Sequence, residues 1–277
     1  YGAPARGRMM VMLDRNDYWQ CAYLIRKGSG AQLRQRPLQA FRDLVAPLLP
    51  FGAYLAYPFL ILTTWFHEMG HGLTALVLGQ EFYRLAIFPN GSGVAEYAVG
   101  GGTTRLVNAA IAAGGPLAPS IVGAGLIVAS AHPRSWRWVL WGMVAAILAS
   151  TVIWVRSTTG WWALPVAAAI LGLIAWRASG GVQRFTLQFL GLTAAWSVFG
   201  AWRYFLTEQV VIDGQSQLSD TGAIAAVLLL PYWFWAGAIL LTSAAMFFFS
   251  LRYALADKRR RPPPRKLPAN VLQFKRR

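Results

Sequence analysis

A single cysteine, Cys21, stands in 277 residues, which excludes an intramolecular disulfide framework and any cysteine-rich metal site. Charge is scarce as well: charged residues make up 13% of the chain, against roughly 25% in soluble domains. There are ten acidic residues and three histidines in all, so any acid–base or metal chemistry must come from a handful of side chains. No internal repeat and no dinucleotide-binding glycine fingerprint is present. What fills the space is apolar: 56% hydrophobic residues, 14% of the chain aromatic. Disorder and an ordinary soluble enzyme are both excluded, and an integral membrane protein remains.

The net charge of +16 would suggest nucleic acid in a soluble chain. Its distribution argues against that partner. Eight cations precede Phe51 and ten lie from Arg252 onward, leaving eight for the middle. Basic ends around an apolar body suit an anionic inner leaflet, and aromatic–basic interleaving for stacking bases is missing. The start is polar and basic, with no legible signal peptide. A first residue of Tyr rather than Met fits a fragment or a translated reading frame.

From Leu44 to Gln80 the only group charged at neutral pH is Glu68, a run long enough to span a bilayer and tilt or break. Then comes Glu81–Tyr97, two strand-like arms around Pro89-Asn90-Gly91-Ser92-Gly93, which reads as a β-hairpin. Five further apolar segments lie at about Leu106–Ala131, Trp138–Val155, Trp161–Trp176, Phe185–Trp202 and Ala223–Phe249. The fold expected is therefore an all-α polytopic membrane protein, with about six transmembrane helices and a short β-hairpin after the first. Three regions follow: a non-catalytic 1–45, a membrane domain over 46–255, and a basic cytoplasmic tail over 256–277. Placing both termini inside the cell puts 22 of the 26 cations on the cytoplasmic side, as the positive-inside rule requires.

The chemistry sits in the first span, at His67-Glu68-Met69-Gly70-His71. Histidines four apart share one helix face, so both imidazoles can reach one zinc ion. Glu68, beside the first, is then placed as a general base for a water that the metal activates. The composition yields such a motif by chance in only about one sequence in two thousand, and ionisable groups inside a membrane are functional by default. The bland alternative is a polar cluster that glues helices or lines a transport path. His132, before Pro133 at a segment end, reads as an interfacial histidine outside the ligand set.

His67-Glu-Met-Gly-His-Gly-Leu-Thr-Ala-Leu-Val-Leu-Gly79, the PNGSG hairpin and Ala112–Ala124 (AAGGPLAPSIVGA) together resemble the site-two-protease-type membrane metalloproteases. Within them, the likeness is to the bacterial membrane zinc peptidase-like branch. It covers about residues 50–255. The resemblance implies a multi-span fold, one zinc per chain, and hydrolysis of a membrane-anchored protein substrate within or beside the bilayer. Such proteases take a third zinc ligand from an aspartate, usually in a Leu-Asp-Gly setting that this chain lacks. Asp220, in Leu218-Ser219-Asp220-Thr221-Gly222, resembles the Ser-Asp that opens the final helix of the narrower branch. Topology puts it on the same outer side as the histidine motif. It could instead merely N-cap a helix alongside Ser219.

Other roles are implied more loosely. An edge strand of the hairpin would hold an unwound substrate, with Phe88, Pro89 and Asn90 close to it, unless the segment is only a connection. Asn108 could donate to an oxyanion or bond between helices. Gly114 and Gly115 allow close helix approach. Separately, Met9–Leu48 resembles an internal fragment of FAD-dependent aromatic-ring monooxygenases, around Asp17-Tyr-Trp-Gln-Cys-Ala22. Without a phosphate-binding glycine loop, no flavin is expected. Two rival functions share the same residues: a non-catalytic scaffold or chaperone descended from such a protease, and a proton or metal transporter.

Overall fold

The computed structural model describes residues 9–14, 19–24, 52–100, 103–212 and 215–256. The basic tail beyond Ala256, and most of the Met9–Leu48 stretch that resembles a flavoenzyme fragment, lie outside them. Near the N-terminus β1 (Met9–Asp14) pairs antiparallel with β2 (Trp19–Leu24), Met9 opposite Leu24 and Asp14 opposite Trp19.

The rest of the described chain is mostly helical, with two β-hairpins. α1 (Gly52–Val77) carries the histidine motif and leads into a hairpin of β3 (Glu81–Ile87) and β4 (Gly93–Ala98). Four long helices follow: α2 (Arg105–Ser130), α3 (Trp136–Ile153), α4 (Thr158–Arg177) and α5 (Gly180–Gly200). A single turn, α6 (Trp202–Phe205), precedes a second hairpin, β5 (Gln209–Ile212) and β6 (Gln215–Leu218). The described chain ends with α7 (Asp220–Val227) and α8 (Tyr232–Ala256).

Four of these helices, α2, α3, α4 and α8, are long and apolar enough to cross a membrane. Six spans are expected from the sequence, and four helices meet that standard of length and hydropathy. α1 and α5 have the length, 26 and 21 residues, but polar side chains dilute them: His67, Glu68 and His71 in one, Gln183, Arg184 and Gln188 in the other. The expected span Ala223–Phe249 is two helices. Leu228 is extended, at φ −117° and ψ 160°, and Pro231 follows it, with no N–H to carry a helical ladder across the gap. Asp220 thus opens a separate eight-residue helix rather than the last span. The β5–β6 hairpin was not expected at all.

α2 is the central element, packing on α1, α5, α7 and α8. Its small residues make that possible. A β-carbon on Gly114 would lie 2.8 Å from the Gly70 carbonyl of α1, and one on Gly123 would lie 2.7 Å from the Gly191 carbonyl of α5. With lipid outside as apolar as the side chains, such close backbone approach supplies the dispersion contact that holds helices together. Within the packed body, Trp65 donates from Nε1 to Ser150 Oγ of α3 at 2.9 Å, which satisfies two polar atoms away from water.

The β3–β4 hairpin is clasped on two sides. Tyr57 and Thr64 of α1 donate their hydroxyls to the Pro89 and Gly91 carbonyls, at 3.0 and 2.6 Å. Gly91 takes the positive φ of +85° that the turn demands. The outer edge of β3 is already covered: Leu85 N–H donates to Trp154 O (2.8 Å), Arg156 N–H to Leu85 O (2.9 Å) and Ile87 N–H to Ser157 Oγ (2.9 Å). Phe82, buried, stacks on Trp154 with ring centroids 5.1 Å apart. Among the described residues no further strand pairs with the outer edge of β4, which is the free edge of the sheet.

Candidate metal centre

The spacing of four on α1 puts His67 Nε2 and His71 Nε2 3.2 Å apart. His71 is held from behind. Its Nδ1 lies 2.8 Å from the Ile111 carbonyl of α2, a bond in which the ring donates, leaving the Nε2 lone pair free. Gly115, one turn further along α2, leaves just enough room, since a β-carbon there would collide with the imidazole.

Asp220 arrives from α7, whose start is fixed independently. Ser219, not Asp220, is the N-cap: its Oγ accepts from Gly222 N–H at 3.0 Å and donates to the Thr207 carbonyl at 2.5 Å. Thr221 Oγ1 donates to the Phe205 carbonyl at 2.7 Å. With the cap supplied by its neighbour, the Asp220 carboxylate turns into the histidine pair. Oδ2 lies 3.1 Å from His67 Nε2, and Oδ1 lies 3.2 Å from His71 Nε2.

The donor atoms of His67, His71 and Asp220 all fall within 4.8 Å of one another. Two ligands on a tetrahedral zinc, each bonded at about 2.0–2.1 Å, would stand about 3.3 Å apart, which matches the His67–His71 separation and the approach of each histidine to one of the two Asp220 oxygens. Asp220 Oδ2 is also buried, with the His67 ring nitrogen beside it, and a cation shared by the two would satisfy both. Two imidazoles and one carboxylate make a three-ligand set with a fourth position left over, the composition of a catalytic rather than a structural zinc site.

Glu68 is 7% exposed and lies against the start of β4. A β-carbon on Gly93 would come within 2.7 Å of Glu68 Cγ and of Thr64 Cγ2. The hairpin therefore walls the carboxylate in. His67, Glu68, Gly91, Ser92 and Gly93 line one side of a cleft of about 1000 Å³, and Tyr204 with the β5 residues Gln209–Val211 lines another.

The remaining expected residues fall as follows. Phe88, Pro89 and Asn90 form the hairpin turn. Asn90 Oδ1 accepts from Ser92 N–H and Oγ, at 3.0 and 2.8 Å, and it is Gly91–Gly93 that line the cleft. Asn108 lies on α2 with Oδ1 buried and unpartnered, and it is not among the cleft's walls. His132 stays away from the cluster and bonds Tyr253 OH through Nε2 at 3.1 Å. Tyr204 was not anticipated. Its ring stands edge-on to His67, centroids 6.5 Å apart at 81°, but in the sequence it is one aromatic among many at a segment end.

No curated protein and no solved structure matches this chain. The family model for Peptidase M50B-like proteins matches residues 43–250, most of the chain and all of the elements that carry the cluster, and the protein is therefore a member of this site-two-protease-type, M50B-like peptidase family.

Proposed function

We propose that the protein is a membrane-embedded zinc metalloendopeptidase that cuts a membrane-anchored protein in or beside the bilayer. The observation that carries this reading is the convergence of His67, His71 and Asp220, from separate helices, beside a buried Glu68 on one cleft. Zinc, when bound, supplies a Lewis acid that makes a water nucleophilic at neutral pH. His67, His71 and Asp220 hold the ion.

Glu68 takes a proton from the attacking water as its oxygen adds to the scissile carbonyl carbon. It then returns that proton to the departing nitrogen as the C–N bond breaks. A helical substrate hides its carbonyls in its own ladder, so the segment to be cut must be extended. The free edge of β4, which begins at Gly93 beside Glu68, offers backbone groups to an added strand. Burial of Glu68 and the walls of the cleft limit bulk water near the base. We place the chain in the cytoplasmic membrane with both termini inside, on the distribution of its arginines and lysines.

The test is zinc per chain in detergent-purified protein, beside His71→Ala and Asp220→Ala variants. About one zinc in the wild type, lost in both variants, supports the three-ligand site. Zinc kept by Asp220→Ala removes that residue from the set. No zinc in the wild type turns the cluster into a relic and leaves a scaffold role.

A further inference from the structure

Hydrolysis by the route above creates negative charge on the former carbonyl oxygen. At that stage Glu68 holds the water's proton for the departing nitrogen, so a hydrogen-bond donor to the oxyanion is sought elsewhere around the cluster. The serine and threonine hydroxyls that line the cleft are already committed. Thr63, Thr193, Ser197 and Thr207 donate to carbonyls three or four residues back, Thr64 to the Gly91 carbonyl, and Ser92 to Asn90 Oδ1. Asn108 is not on the cleft wall. Of the other donors on it, Arg203 and Gln209 are exposed, and Tyr204 is the one that stands against the cluster, its ring edge-on to His67.

We propose that Tyr204 is the hydrogen-bond donor to the oxyanion of the tetrahedral intermediate, acting from the Asp220 side of the cluster while Glu68 works from the hairpin side. This rests on the protease reading. The position of Tyr204 is set by the same network that sets Asp220. Thr207 Oγ1 donates to the Tyr204 carbonyl at 2.8 Å, and the Thr207 carbonyl accepts from Ser219 Oγ. The next residue, Phe205, is 1% exposed and tied to Thr221. The phenol and the carboxylate therefore belong to one rigid unit, so the donor is in place before substrate arrives. A phenol is an O–H donor at neutral pH. No proton leaves Tyr204: it donates a hydrogen bond while the oxyanion exists and releases it when the carbonyl re-forms.

The experiment compares Tyr204→Phe with wild type, as full chains in detergent, using a phosphinic peptide as probe. Its tetrahedral, anionic phosphinyl group stands in for the intermediate. Zinc content is read alongside binding. The expected result is unchanged zinc per chain and phosphinic-peptide affinity lower by about 10- to 100-fold, with kcat on a labelled casein falling by about 10²-fold or more at similar KM. Equal phosphinic affinity in the two proteins overturns the assignment. Zinc lost from Tyr204→Phe also overturns it, since the phenol would then be supporting Asp220 rather than the substrate. A zinc-loaded wild type that neither binds the phosphinic peptide nor cuts casein brings down the protease reading itself, an outcome distinct from failure of the variant alone.

Discussion

Gly115 and His71 occupy adjoining space with no margin between them: the imidazole lies where a β-carbon on residue 115 would have to be. The glycine sets how close α2 can come to the metal helix, and the Ile111 carbonyl then reaches His71 Nδ1 at 2.8 Å. Gly115→Ala should push the ring off that carbonyl and weaken zinc affinity by about 10- to 100-fold, the loss typical when the groups that orient a metal ligand are disturbed. Competition with a chromophoric chelator measures it, and unchanged affinity would mean that the helices separate without moving His71.

Glu68→Gln keeps the shape of the side chain and removes its basicity. Metal content should stay at wild-type level while hydrolysis falls by about 10²- to 10⁴-fold, the range that general-base catalysis contributes. Metal analysis beside a protease assay separates the two. Loss of zinc in this variant would mean that Glu68 is itself a ligand.

Gly93→Ala tests the contact between the hairpin and the base. Its new methyl would stand 2.7 Å from Glu68 Cγ, so the carboxylate must move by a few tenths of an ångström or more. Small displacements of a catalytic group are costly. We expect kcat lower by about tenfold or more, with zinc content unchanged. An unaltered kcat would place the working position of Glu68 away from the strand.

Gly191→Val tests packing instead of chemistry. A β-carbon at Gly191 would lie 2.9 Å from the Gly123 carbonyl and from Ile127 Cγ1, so α5 must back away from the central helix. Overpacking of this kind costs about 1–3 kcal/mol. Thermal unfolding in detergent should begin at a lower temperature than in wild type, whereas Gly142→Ala, where a β-carbon meets nothing within 4 Å, should be neutral or slightly stabilising.

Hydrophobicity and turn chemistry made much of this architecture legible. The hairpin was read from Pro89–Gly93 because those residues have few other uses, and the apolar runs gave the cores of α2, α3, α4 and α8. Helix starts were read too late. α4 begins at Thr158, capped by Ser157 Oγ accepting from Gly160 N–H at 3.3 Å, but polar caps lie outside any hydrophobic window. The broken last segment was missed because Leu228–Leu230 is as apolar as a helix, and only Pro231 hints at the gap. β5–β6 was missed although its arms are joined by Asp213-Gly214, a pair that two-residue hairpin turns favour, because Gln209–Ile212 and Gln215–Leu218 show no clean alternation around it.

The site divides along the same line. His67, Glu68 and His71 are local, four residues apart on one helix, and a spacing rule finds them. Asp220 is non-local: it lies 149 positions after His71, and a resemblance was needed to single it out. Its neighbour Ser219 was the better clue, because a serine that takes the cap frees the aspartate beside it. Tyr204 carries no local signal, since only the folded chain brings it to His67.

The clasp on the β3–β4 hairpin has a consequence for where a substrate is cut. Tyr57 and Thr64 anchor the turn to the same helix that bears Glu68, and Val155 locks the far edge of β3, so the strand and the base cannot slide past one another. A peptide laid on β4 is then measured as on a ruler with two-residue graduations, because a slip by one residue would turn every side chain to the opposite face. Alternative cut sites in one substrate should accordingly fall an even number of residues apart.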